Sequence, residues 1–166
     1  QRKFRVACHW AILADPSCEA SAVQQRITNV MLVVDDYDRA IGFFTSALGF
    51  VVHEDTPMGH GKRWVRVGPA GDAGAGLVLG KATTADQAAA IGRQTGGRVF
   101  LFLETDDFWR DYQRLERHGV RFIEMPREEA YGTVVVFEDL YGNKWDLIGR
   151  GAPPRHHPAQ GKAGHA

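Results

Sequence analysis

No part of the sequence is apolar for the roughly 20 residues that a membrane-spanning helix requires, and none carries a block of like charge. The first absence predicts a chain that does not enter a membrane. The second, with twenty basic against twenty acidic side chains, leaves no field that would gather phosphates, so nucleic acid is not an expected partner. Cysteine is scarce. Cys8 and Cys18 are the only two; a local bridge between them would not make a disulfide framework, and free thiols in a reducing cytoplasm are the expectation.

The two ends also lack the periodic apolar positions of a packed element. Residues 1–25 open with QRKFR, a short apolar run at 6–14 and an Ala20-Ser21-Ala22 triplet, an order that faintly imitates a signal peptide. His9 and Trp10 interrupt that run, and Asp15 and Glu19 stand where cleavage would fall, so an N-terminal extension is the expected reading. Residues 150–166, which include GAPPRHHPAQGKAGHA, read as a mobile tail, with His156 and His157 as adventitious metal binders at most.

What the middle contains is a repeat. ITNVMLVV (27–34) is a β-branched run of strand length that stops at Asp35-Asp36. Asp36 then caps a helix whose Tyr37, Ala40, Ile41, Phe44 and Leu48 recur at three- and four-residue steps and end at Gly49. Strands follow at 50–54, 63–67 and 76–81. About seventy residues on, the order starts again: a strand at 99–103, an acidic start at Asp106-Asp107, and a stripe of Phe108, Trp109, Tyr112 and Leu115 closed by His118-Gly119. Strands at 121–123, 133–137 and 144–148 complete the copy, with Gly142-Asn143 suited to a tight hairpin between the last two. The intervening TTADQAAAIGRQTG, 83–96, predicts a linker with a short helix. The expected fold is therefore α+β: a βαβββ module at about 26–82, the linker, and a second module at about 97–149. Together they are expected to form an incomplete β-barrel around a central cavity.

VVDDYDRAIGFFTSALGF and YGTVVVFEDLYGNKWDLI strongly resemble the first and last blocks of the vicinal-oxygen-chelate superfamily, the glyoxalase, bleomycin-resistance and extradiol-dioxygenase proteins. The resemblance covers residues 26–149 and implies the fold, a homodimer and the place of the cavity, but no particular activity. Metal-using members bind one divalent ion through four inward side chains on strands one, four, five and eight. Those places fall here on Asn29, Leu79 (or, one residue earlier, Val78), Arg98 and Asp146. Only Asp146 is a convincing ligand, and a guanidinium both lacks a lone pair to give and repels a cation. The resemblance thus implies no metal cofactor, though a divalent ion held by Asp146 and other ligands stays open.

An unpaired charge on a cavity floor is costly, so Arg98 and Asp146 are expected to pair, within a chain or across a dimer, with Asn29 nearby. The alternative is an Arg98 that points outward as a solvated strand residue. Alternation adds Ile27 and Met31 beside Asn29, Phe100 and Phe102 beside Arg98, Lys144 and Ile148 beside Asp146, and Trp64 with Arg66 on the third strand. It sends Val65, Val67, Trp145 and Leu147 to the helix side. The loop at 56–63, with His60 between two glycines, could close over the cavity. Tyr131 stands at the rim, and Glu124 on the sixth strand is an outside candidate for a general base. The wall is apolar and aromatic, suited to a small organic ligand. A metal-free, cytoplasmic, sequestering homodimer is the leading expectation. Beside it stand a lyase, isomerase or dioxygenase-like enzyme, metal-dependent or acid-base, and a ligand-responsive interaction domain.

Overall fold

Two aspartates start the two principal helices. In the computed structural model, which describes residues 25–71 and 74–150, the Asp36 carboxylate accepts from the backbone N–H groups of Asp38 and Arg39 and opens helix α1 (Tyr37–Ser46). Asp107 accepts from the Arg110 N–H and opens α3 (Phe108–Arg117). Each supplies an acceptor to N–H groups that have none within the first helical turn. Cys8, Cys18 and the rest of residues 1–24 lie outside the described residues, as do His156, His157 and the rest of residues 151–166, and with them the expectations for both ends.

Strands β1 (Asn29–Val34), β2 (Val51–Gly59), β3 (Lys62–Gly68) and β4 (Gly76–Lys81) form one sheet in the order β1-β4-β3-β2. After the short linker helix α2 (Ala85–Ala90), strands β5 (Val99–Thr105), β6 (Arg127–Glu129), β7 (Gly132–Glu138) and β8 (Lys144–Gly149) form a second sheet, β5-β8-β7-β6. In each sheet the first strand runs parallel to the last and the remaining pairs are antiparallel. The linker seals the exposed edge of β1: the Gln94 amide accepts from the Val33 N–H and donates to its carbonyl, both at 3.2 Å.

The two modules meet through their helix-bearing faces. Leu32, Val34, Val65, Val67, Leu77 and Leu79 from the first sheet join Val135, Phe137, Trp145 and Leu147 from the second in one buried cluster, with Phe44 of α1 and Leu115 of α3. Trp145 stands at its centre, its ring centroid 6.1 Å from Phe44, 6.4 Å from Phe50, 6.4 Å from Phe100 and 5.9 Å from Phe137. Its indole N–H donates to buried Asp139, which also holds the turn between β7 and β8. At the periphery, Arg114 of α3 donates to the carbonyls of Ala47 and Leu48, capping the negative end of α1. Tyr141 donates to Asp35 at 2.9 Å.

Two βαβββ modules are thus present, but the sheets do not close into a barrel within the chain. Open sheets are what an incomplete barrel implies, but three local expectations change. The sixth strand is not at 121–123, where a single bridge joins Phe122 to Phe137; it lies at Arg127–Glu129, and Glu124 sits between the two. The stretch 56–63 is no lid, because β2 runs to Gly59 and pairs with β3 up to Lys62, leaving His60 and Gly61 as a tight turn with positive φ. Ile27 precedes β1 instead of belonging to it. Because Trp145 links both modules and is 2% exposed, Trp145→Ala should cost about 3–5 kcal/mol of stability, read from the urea midpoint of unfolding; a cost below about 1 kcal/mol would show that the modules do not depend on this cluster.

Candidate functional site

With the helix-bearing faces turned toward each other, the opposite face of each sheet is turned away from the core. On the first sheet that face carries Asn29 and Met31 from β1, Trp64 and Arg66 from β3, and Val78 from β4, which lies beside both Met31 and Arg66 in register. Two glycines of β4 make room among them. A Cβ at Gly76 would stand 3.2 Å from Asn29 Oδ1 and 3.2 Å from Arg66 Cγ, and one at Gly80 would stand 2.6 Å from Met31 Sδ. Glu54 of β2 completes the face by accepting from the Trp64 indole at 3.1 Å. Arg66 forms no ion pair among the described residues, and the buried Asn29 Oδ1 has no hydrogen-bond partner.

On the second sheet the corresponding face carries Phe102, Asp146 and Val136 side by side on β5, β8 and β7. Phe102 is 65% exposed, whereas Asp146 is only 8% exposed and its Oδ1 has no hydrogen-bond partner among the described residues. Burial raises the Asp146 pKa, opposed by the positive charge of Arg127. That guanidinium pairs with Glu124 and, at 2.9 Å, with Glu129, yet its buried Nη1 has no hydrogen-bond partner among the described residues. His60 and Tyr131 occupy equivalent places, each at the turn of its module's central hairpin, and Tyr131 is exposed.

Several sequence expectations fail here. Arg98 is exposed and makes no ion pair with Asp146 within the chain; the cation that Asp146 feels is Arg127. A bulge at Val99–Leu101 inserts Phe100 as an extra residue, and its ring meets Trp145 edge-on in the shared core instead of standing beside Phe102. Leu79 faces that core too, so Val78 occupies the outward position. Glu54, Arg127 and the two glycines were not foreseen. Strand pairing with Trp64 could have found Glu54, but Arg127 was hidden by the misplaced sixth strand. A cleft of about 300 Å³ between the modules is walled by Val30, Phe50, Leu77, Leu101, Leu103 and Trp145. Of the residues picked from sequence, only Phe102 borders it.

The four positions to which the resemblance assigns a metal therefore present an amide, an aliphatic side chain, an exposed guanidinium and one carboxylic acid. No group of three or more His, Cys, Asp or Glu that could hold a metal ion occurs among the described residues. This donor set does not fit a divalent ion. No helix among the described residues is long and apolar enough to cross a membrane.

Paired βαβββ modules with these outward faces define a class, and comparison with known families agrees. The chain belongs to the Glyoxalase/Bleomycin resistance protein/Dioxygenase superfamily, whose family model matches residues 26–147. It is 53% identical over 127 residues to an uncharacterised protein of Shewanella frigidimarina (strain NCIMB 400), covering 76% of this chain and 94% of that one. Among solved structures it is similar to UcmS2, with 30% identity, a TM-score of 0.65 and coverage of 75% of this chain and 98% of the other. It is also similar to TnmS3, an antibiotic binding protein from Streptomyces sp. CB03234, with 28% identity, a TM-score of 0.62 and coverage of 78% and 98%.

Two outcomes follow from the electrostatics. Arg98→Ala should change stability by no more than about 0.5 kcal/mol, as for an ordinary surface site; a loss of about 3–5 kcal/mol would restore the buried pair. For Asp146, a folded pKa above the unfolded one means the native state binds the proton more tightly. The stability it contributes is complete below the unfolded pKa and is lost as pH rises through the folded one. Asp146→Asn should therefore melt higher than the parent at pH 7, with the gap shrinking as pH falls toward about 4. A gap that widened on acidification would reverse the sign.

Proposed function

We propose that this protein binds a small, partly aromatic organic molecule on its outward sheet faces without a metal ion, in a sequestering role. The observation that carries this reading is the composition of those faces. Met31, Trp64, Phe102 and Tyr131 are all exposed large hydrophobic residues, set beside a few polar groups, in a chain whose expected metal positions offer one convincing ligand, Asp146. Apolar side chains gathered on one surface of a protein mark a ligand or partner, and an aromatic wall with few polar groups suits an organic ligand. Similarity to TnmS3, an antibiotic binding protein, supports the same reading.

An open sheet face does not enclose a ligand by itself. The proposal therefore includes a homodimer in which the outward face of one chain's first sheet is apposed to that of its partner's second sheet, giving two equivalent cavities related by a twofold axis. The family resemblance supports this arrangement, as does the exposure of Met31 and Trp64 on one face and Phe102 on the other.

Native mass spectrometry of protein purified without a histidine tag tests the whole reading. The expected result is a two-chain species without stoichiometric metal, either ligand-free or carrying an organic adduct. One tightly held divalent ion per chain would overturn the metal-free reading and favour an enzyme. A monomer that binds no aromatic compound would overturn the cavity.

A further inference from the structure

Asp146 is a carboxyl only 8% exposed on a sheet face turned away from the core. It lies at the centre of the second sheet's outward face, flanked in register by Phe102 and Val136, while the next residues on either side, Trp145 and Leu147, are the ones that serve the core. A buried carboxyl oxygen without a donor is a net cost to folding, and buried polar groups are ordinarily satisfied. Neither nearby cation donates to it: Arg127 pairs with Glu124 and Glu129 and leaves its buried Nη1 without a hydrogen-bond partner among the described residues, and Lys144 donates to the Gly97 carbonyl at 3.1 Å. A second buried acceptor, Asn29 Oδ1, stands without a partner on the outward face of the first sheet, where its own amide nitrogen is turned to Thr28.

We infer that Asp146 is a specificity-determining residue, whose carboxyl group, 8% exposed beside Phe102, accepts a hydrogen bond from a hydroxyl or amine group on an aromatic ligand that packs against that ring. The inference rests on the reading of the faces as an organic-ligand site and adds the chemistry that the site selects. Phe102 offers a ring and no polarity, so it holds any flat apolar molecule. Asp146 beside it discriminates, because an analogue without the donor leaves a buried oxygen unpaired on binding as well as before it. Asn29, on the face that the dimer would bring opposite, offers a second acceptor of the same kind.

The test uses the full chain and two probes of nearly equal shape, 2-naphthol and 2-methoxynaphthalene, with binding measured by equilibrium dialysis at pH 7. Parent protein should prefer the hydroxyl compound by at least about tenfold, roughly 1.4 kcal/mol. Asp146→Ala should bring the preference close to unity while leaving the affinity for the methoxy compound within about threefold. The variant should also melt higher than the parent, whereas a residue kept for structural pairing with Arg127 would melt lower when removed. Equal affinity of the two probes for the parent, or a preference that survives the substitution, would overturn the role of Asp146 and leave the aromatic site standing. If neither probe bound at millimolar concentration, the reading of the faces as an aromatic-ligand site would itself fall. A variant that changed only the oligomeric state would assign Asp146 to the interface instead.

Discussion

The aromatic contact around Trp145 decides which surfaces this chain can offer. A sheet has two faces, and this cluster commits one face of each sheet to the shared interior. Phe44 and Phe50 reach it from the first module, while Phe100 and Phe137 reach it from the second. Burial of large aromatic rings is the strongest packing contribution a small domain has, and the Asp139 carboxylate fixes the indole from its polar end. Everything with functional character is consequently displaced to the opposite faces. Period-two alternation makes the consequence unavoidable: Asp146 faces away because Trp145 and Leu147 face in.

That same alternation explains how much was legible beforehand. Val65 and Val67 against Trp64 and Arg66, and Trp145 and Leu147 against Asp146, are patterns whose period leaves one physical solution, and the structure adopts it. Asp36 and Asp107 were readable as helix starts because a short carboxylate followed by apolar residues at helical spacing satisfies otherwise orphaned N–H groups. Parity, however, survives only while every residue is paired. The single inserted residue at Phe100 inverts the assignment for everything before it on that strand, which is why Arg98 and Phe100 were placed wrongly and Phe102 was not. Bulges leave no reliable mark in an apolar run such as VFLFLE.

The other misreadings have a similar origin in short segments. Residues 121–123 look like a strand because Phe122 and Ile123 are apolar, yet only Phe122 finds a bridge, and the three-residue strand that does form, Arg127–Glu129, is entirely charged. An edge strand held by backbone bonds and ion pairs carries no hydrophobic signature. Likewise, Gly59 and Gly61 looked like hinges of a mobile loop. Their positive φ values, with that of His60 between them, instead serve a reversal tight enough to keep β2 and β3 paired to the tip.

Fold membership alone does not choose among the chemistries this superfamily hosts, since one architecture serves many sites. The choice here turns on what replaces the metal's ligands. Val78 contributes bulk, Arg98 lies at the surface, and Asn29 and Asp146 are left as acceptors without donors. Had the positions been freed only by drift, selection for stability would favour aliphatic residues there, as at Val78, because an unsatisfied buried oxygen is a continuing cost. Polar groups that persist at a stability cost are where binding or catalysis is most economically sought. An acceptor pair set into an apolar aromatic surface is poor at gripping a cation but well suited to reading donor groups, which is the physical ground for proposing recognition and not coordination on these faces.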